Sequence, residues 1–216
     1  MAARGVEVEW QFDVRDVAAF ERWVAEARFG GGWTVTPDRV RRLRDAYFDA
    51  ADWRVLRAGH ALRVRRDGAD VEATLKALRR SRHGVARRRE ITERLADARL
   101  GSLRAASGAV GSVLRRVVGK RGLHRLFALR TRRRTFAVRK DGRRIAELAL
   151  DRTEIVAGRH RLRSLQRVEV EVEAGSPAVV ARFVATLRRQ RHLTIARRSK
   201  FETGLAAAGR VAPRRR

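Results

Sequence analysis

Apolar and polar residues alternate in short stretches along the chain, and each such stretch predicts a strand with one apolar and one polar face. In residues 6–12, valine, tryptophan and phenylalanine alternate with Glu7, Glu9 and Gln11. In residues 168–173, three valines alternate with three glutamates. With these two stretches, eight strands are predicted in all, the others being 40–48, 61–66, 71–78, 87–95, one within 126–139, and 144–151.

Turn and helix signals separate the strands. Asp67-Gly68 and Asp141-Gly142 predict hairpins, because glycine tolerates the positive φ that tight turns need. Eight strands with helices between and after them predict an α+β protein: a closed antiparallel eight-stranded β-barrel with helices packed outside. The predicted helices are one capped by Asp16 and ending near residue 27, a segment over 100–123 that forms the seam between two halves, and a closing helix over 177–189.

The polar strand faces are charged, and the sign of the charge differs from strand to strand. Arg63 and Arg65 share one face, whereas Glu169 and Glu171 share another. Two arrangements are open: the valine faces fill the barrel and the charges meet solvent, or helices cover the valine faces and the charges line the interior. Sorting by sign favours the charged interior, since carboxylates crowded together suit a divalent cation and guanidinium groups suit phosphate.

Composition adds a strong positive charge to this arrangement. The 216 residues include 52 Lys and Arg against 24 Asp and Glu, a formal net charge of +28. A field of this sign concentrates anions, so phosphates, polyphosphate or nucleic acid are expected partners. A basic surface without a specific ligand is the alternative.

Length and residue usage limit the remaining choices. The chain predicts a single domain over residues 1–209, followed by a basic tail, 210–216, that we expect to be disordered. It contains no cysteine, which excludes disulfides, thiolate-bound zinc and cysteine nucleophiles. It also has no apolar run long enough for a membrane span, so we expect a cytoplasmic protein that does not contact membranes.

Short motifs stand in order along nearly the whole chain. They are Glu7-Val8-Glu9-Trp10-Gln11, Tyr47-Phe48-Asp49, Ala61-Leu62-Arg63-Val64-Arg65, Thr74-Leu75-Lys76 and Arg88-Arg89-Glu90, then Arg133, Glu147, Asp151, Glu169, Glu171 and Ser199-Lys200. Together they resemble the CYTH or triphosphate tunnel metalloenzyme family. That family includes inorganic triphosphatases, thiamine triphosphatases and class IV adenylate cyclases.

The resemblance implies a role for each matched residue. As catalytic residues it implies Glu7, Glu9, Lys76 and Glu90, with Glu90 or Glu147 completing an acidic ring. As ligands of Mg2+ or Mn2+ it implies Glu7, Glu9, Asp151, Glu169 and Glu171. As groups that bind the phosphate chain it implies Arg63, Arg65, Lys76, Arg133 and Lys200.

The function implied is metal-dependent hydrolysis of a triphosphate, most simply inorganic tripolyphosphate, bound in the tunnel. The alternative is a non-catalytic module that binds polyphosphate or another polyanion, and in this family CYTH domains often accompany basic CHAD domains associated with polyphosphate. Nucleic acid bound non-specifically to the basic surface is a third reading. The sequence departs from the family at Gln11, where a lysine is usual, which removes one positive charge from the tunnel.

Overall fold

The computed structural model describes residues 3–78 and 85–210, with side chains from Val6 onward. In this part of the chain the strands are β1 (Ala3–Asp13), β2 (Trp33–Ala50), β3 (His60–Asp67), β4 (Asp70–Ala77), β5 (Val85–Arg94), β6 (Leu123–Lys140), β7 (Arg143–Ala157), β8 (His160–Val172) and β9 (Thr194–Ile195). The helices are α1 (Val17–Glu26), α2 (Arg54–Arg57), α3 (Leu100–Ala105), α4 (Ala109–Val117), α5 (Pro177–Arg191) and α6 (Lys200–Ala207).

Eight of the strands form a closed ring. Their order is β5-β4-β3-β2-β6-β7-β8-β1, and β1 also pairs with β5. Every neighbouring pair is antiparallel, and the short β9 adds to the end of β1. The prediction of an α+β protein with a closed antiparallel set of eight strands is therefore confirmed.

The local signals agree with the structure at the turns and at the first helix. Gly68 has a φ of 60° in the hairpin between β3 and β4, and Asp141 and Gly142 have φ values of 49° and 78° in the hairpin between β6 and β7. The side chain of Asp16 accepts hydrogen bonds from the backbone amides of the first turn of α1. The segment predicted to be helical over 100–123 contains α3 and α4, with β6 beginning at its end.

Most strands are longer than predicted, among them β2, β6, β7 and β8. β2 begins at Trp33 rather than at residue 40, because a register shift between Pro37 and Val40 interrupts the alternation. β6 spans 123–140. β7 continues to Ala157, and β8 begins at His160, after a turn at Gly158, whose φ is 58°. The short helix α2, β9 and α6 were not predicted. We expected a disordered tail over 210–216, and its residues 211–216 lie outside the described residues.

Helices cover the apolar faces of the strands from outside the ring. Helices α1 and α5 pack on one cluster of outward-facing residues, which includes Trp10, Leu148 and Val170. Helices α3 and α4 contribute to a second cluster with β3 and β4, which includes Leu62 and Leu75. The valine faces therefore point outward, as the charged-interior arrangement predicted.

A third apolar cluster lies on the inward faces of the strands, where α6 packs. Tyr47 of β2 stacks on Phe127 of β6 with ring centroids 4.8 Å apart, and Phe201 of α6 lies 5.3 Å from Tyr47. Gly204 permits this approach, since a Cβ there would stand 2.1 Å from the Phe127 ring. Among residues 3–78 and 85–210, no helix has both the length and the apolar character needed to cross a membrane.

Candidate functional site

A charged cavity of about 360 Å3 occupies the interior of the ring. Each of the eight strands contributes a charged side chain to its wall, and α6 contributes Lys200. The charged residues face inward because they alternate along each strand with apolar residues, and the apolar residues point outward to pack under the helices. Of the residues predicted from the sequence, those that line the cavity are Glu7, Glu9, Arg63, Arg65, Lys76, Glu90, Arg133, Glu147, Glu169, Glu171 and Lys200.

Lys76 joins two carboxylates from neighbouring strands. Its Nζ lies 3.2 Å from Glu7 Oε2 and also contacts Glu90, its cross-strand partner in β5. Burial raises the pKa of Glu7 more than the Lys76 charge lowers it. The ammonium group is thus fixed at the cavity wall between Glu7 and Glu90.

Arg133 and Lys200 form a second cluster with two buried carboxylates. Arg133 Nε and Nη2 donate to the two oxygens of Asp151 at 2.8 and 2.7 Å, and Nη2 also donates to Glu169 Oε2 at 2.5 Å. Lys200 Nζ lies 2.8 Å from Glu169 Oε1 and contacts Asp151. Burial alone would raise the pKa of Glu169, but Lys200 and Arg133 hold it well below its usual range.

Asp151 is placed differently from the other predicted metal ligands. Its side chain has no exposed surface, and it is absent from the residues that line the cavity. Arg133 bonds both of its carboxylate oxygens, and Lys200 bonds one of them. Asp151 therefore stands behind two cations that face the cavity.

Three other glutamates lie close together in the wall of the cavity. Glu9 of β1 pairs in register with Glu171 of β8, and Glu7 lies on the same face of β1 as Glu9. Burial, together with the charges of Glu7 and Glu9, raises the pKa of Glu171 to about 8. Burial and the charges of Glu169 and Glu7 also raise the pKa of Glu9. A cation bound here would relieve the repulsion among these carboxylates.

The donor chemistry of these glutamates fits a hard divalent cation. Carboxylate oxygens are the side-chain ligands that such ions prefer. In residues 3–78 and 85–210, however, no three His, Asp or Glu side chains are already arranged as a metal site. Glu7 is instead held by Lys76, and Glu9 contacts Gln11 and Arg88.

Asp45 is a buried cavity residue that the sequence reasoning missed. It accepts two hydrogen bonds from Arg65, at 2.7 Å from Nε and 2.9 Å from Nη2. Burial would raise its pKa, but Arg65 holds it well below its usual range. Asp45 lies two residues before Tyr47 on the same face of β2, so strand alternation carried a signal for it.

The outward faces of β2, β6 and β7 carry a second group of arginines, here called the outer arginine face. Arg44 stands opposite Arg130, and Arg132 stands between Arg42 on one side and Arg152 on the other. All five are exposed, and none makes an ion pair or side-chain hydrogen bond within the described part of the chain. Like charges placed directly opposite on neighbouring strands are destabilising.

Comparison with known proteins gives a family and a set of similar folds. The family model described as "CYTH domain" matches residues 6–205. No curated protein sequence matches the chain.

Three solved structures illustrate the similarity. HpAC1 from Hippeastrum, a proposed adenylyl cyclase that reveals a dominant triphosphatase activity, has a TM-score of 0.67 at 18% identity, over 96% of this chain and 98% of that one. A proposed adenylate cyclase from Bacillus halodurans has a TM-score of 0.61 at 18% identity, over 91% and 95%. The PH1819 protein from Pyrococcus horikoshii has a TM-score of 0.57 at 20% identity, over 93% and 98%. At these identities the similarity shows the fold.

Proposed function

The chain belongs to the CYTH family, and from that premise we propose that its cavity binds a triphosphate and hydrolyses the terminal phosphoanhydride. The simplest substrate is inorganic tripolyphosphate. The observation that carries the proposal is the lining of the cavity, in which shielded cations such as Arg63 and Arg133 stand together with the crowded carboxylates of Glu7, Glu9 and Glu171. The triphosphatase activity of HpAC1, whose fold is similar, supports the same reaction class.

The cations that line the cavity would hold the phosphate chain. Arg63 and Arg65 can offer guanidinium forks to phosphate oxygens, and Lys76 can act as a point charge on the transferred group. Arg133 and Lys200 would bind it as well. Because all of these cations are partly or fully shielded from water, their charges act more strongly than exposed ones would.

The crowded carboxylates would hold the metal. We assign Glu7, Glu9 and Glu171 as the residues that would bind Mg2+ or Mn2+, with Glu169 beside them. Such an ion supplies charge neutralisation and Lewis acidity when it is bound. In the reaction, water adds to the terminal phosphorus, the bridging P–O bond breaks, and diphosphate leaves. Lys76, held by Glu7 and Glu90, would stabilise the charge that develops on the transferred phosphoryl group.

Asp151 would act through its neighbours in this scheme. Its contacts with Arg133 and Lys200 fix two cations at the cavity wall, so we propose it as a positioning residue. This differs from the metal-ligand role implied by the resemblance, because Asp151 has no exposed surface and does not line the cavity.

A phosphate-release assay tests the proposal. Tripolyphosphate, ATP, thiamine triphosphate and long-chain polyphosphate are each supplied with Mg2+ and with Mn2+. The double variant Glu7→Gln, Glu9→Gln should lose activity while retaining its fold, as checked by circular dichroism. The matched control removes two carboxylates outside the cavity, Glu26→Gln and Glu154→Gln, and should keep wild-type activity. Wild-type phosphate release by the cavity variant would refute the metal assignment.

The second candidate function is a non-catalytic module that binds polyphosphate or another polyanion, and the unpaired outer arginine face favours it. Binding by exposed arginines should weaken steeply with salt, since each neutralised phosphate releases counterions. Binding in the cavity should keep its metal dependence at moderate salt. Absence of hydrolysis on all four substrates, with binding retained, would support this module. Nucleic acid that competes with polyphosphate would share its binding surface.

A further inference from the structure

Arg167 of β8 is a buried cation that the proposed reaction does not use. Only 2% of its side chain is exposed, although a guanidinium group is charged at every accessible pH. Its Nη2 donates to Asp13 Oδ1 at 2.9 Å and to the Arg198 carbonyl oxygen at 3.0 Å. Asp13 is about half exposed, at 51%, so water screens the charge of this partner.

Another contact of Arg167 leads to the cavity. Its Nη1 donates to Gln11 Oε1 at 3.5 Å, and Gln11 Nε2 donates to Glu9 Oε1 at 2.8 Å. Gln11 lines the cavity and pairs in register with Glu169. The Gln11 amide therefore connects a buried cation to Glu9, one of the crowded carboxylates.

This connection matters because Gln11 is neutral and stands between Arg167 and two carboxylates. Glu9 and Glu169 are both buried beside it, and carboxylates so placed require a compensating cation. Arg133 and Lys200 compensate Glu169 through ion pairs. Arg167, two residues before Glu169 on β8, also acts on it electrostatically.

We propose that Arg167 positions Glu9 through Gln11 and supplies, from β8, the positive charge that Gln11 itself lacks. The guanidinium group holds the amide oxygen, and this orients the amide nitrogen toward Glu9. The inference rests on the proposed function, because Glu9 is one of the carboxylates assigned to hold the metal. Partners that orient metal-binding side chains in this way commonly affect affinity strongly.

Moving the charge from position 167 to position 11 tests the proposal. Arg167→Met should weaken metal-dependent tripolyphosphate binding about tenfold or more in titration calorimetry. Adding Gln11→Lys to that variant should restore most of the affinity, because the ammonium group then lies directly beside Glu9. Gln11→Lys alone should lower the unfolding temperature, since it brings a second cation next to Arg167. The matched control, Arg163→Met on the same strand, should leave binding unchanged.

Gln11→Leu provides a test that leaves the bonds of Arg167 to Asp13 and Arg198 in place. It should weaken binding by as much as Arg167→Met does, and it should raise KM more than it lowers kcat. Wild-type affinity in Gln11→Leu, or no rescue of Arg167→Met by Gln11→Lys, would overturn the proposal.

The readouts separate this inference from the proposed function. If the wild type binds tripolyphosphate without hydrolysing it, the affinities still measure the coupling of positions 11 and 167. If the wild type does not bind tripolyphosphate, unfolding temperatures measure the coupling instead. Gln11→Lys should then destabilise the wild type and should not destabilise Arg167→Met. Equal destabilisation in both backgrounds would contradict the inference, whatever the activity.

Discussion

Arg132 and Arg133 are consecutive residues of β6, yet they lie in opposite environments. Arg133 faces the cavity and bonds two buried carboxylates, whereas Arg132 is exposed and stands between two other arginines. On β2, Arg41 and Arg42 repeat the contrast: Arg41 bonds Asp67 and lines the cavity, and Arg42 belongs to the outer arginine face. Residue type and sequence neighbourhood are almost the same in each pair. The strand face alone decides whether an arginine is part of a paired interior or of an unpaired surface.

The largest expected effect is the loss of an interior arginine. Arg133→Met leaves Asp151 and Glu169 buried with Lys200 as their remaining cation, and should cost about 3–5 kcal/mol of the free energy of unfolding. Arg132→Met is the matched control, and should change stability by less than about 0.5 kcal/mol because its side chain is exposed. Urea unfolding of both variants measures the difference. Equal effects would show that the interior pairs do not stabilise the ring.

The next effect concerns the buried pair of Asp45 and Arg65. Asp45→Asn leaves Arg65 without its anionic partner and should cost about 2 kcal/mol at pH 7. The pKa of Asp45 is depressed in the folded state, so its contribution is fully present above the unfolded pKa of about 3.9 and is lost as pH falls toward the folded pKa. The stability difference between wild type and Asp45→Asn should therefore be constant from pH 7 to about pH 5 and narrow below about pH 4. A difference that grew on acidification would contradict the pairing.

The smallest effect on stability is expected on the outer arginine face. The triple variant Arg42→Gln, Arg132→Gln, Arg152→Gln removes cross-strand repulsion and should gain a few tenths of a kcal/mol at low salt. The same variant should reduce the salt slope of duplex DNA binding by about 0.9 for each phosphate group that the protein no longer neutralises. A matched triple on the helices, Arg104→Gln, Arg116→Gln and Arg188→Gln, controls for net charge. If both triples reduce the slope equally, binding is spread over the whole surface.

Strand alternation predicted the ring and its charged interior, because each alternating stretch specifies which residues share a face. It could not predict which carboxylate each cation meets. Arg133 meets Asp151 because β6 pairs with β7 in one register, and Arg65 meets Asp45 because β2 pairs with β3 in another. These registers depend on turns and on a bulge that alternation does not reveal.

The elements that were missed have local causes. The first part of β2 contains Pro37 and a register shift, and the first part of β8 is mostly exposed and lacks apolar alternation. Helix α6 is only eight residues long, but its Ser199 and Glu202 form a capping box that the sequence displayed. Arg167 was missed because it lies just before the alternating stretch that marks Glu169 and Glu171, which begins at residue 168.

The central claim is that the interior of the ring, rather than the outer arginine face, binds the triphosphate. Titration calorimetry of tripolyphosphate with Mn2+ at moderate salt tests it on two matched variants: Arg63→Gln, Lys76→Met in the cavity and Arg42→Gln, Arg132→Gln outside. A circular dichroism spectrum that matches the wild type shows that each variant retains its fold. The cavity variant should lose about 100-fold or more in affinity, equivalent to about 2.7 kcal/mol, while the outer variant stays within about threefold of wild type. Loss of binding in the outer variant, with affinity retained in the cavity variant, would contradict the account.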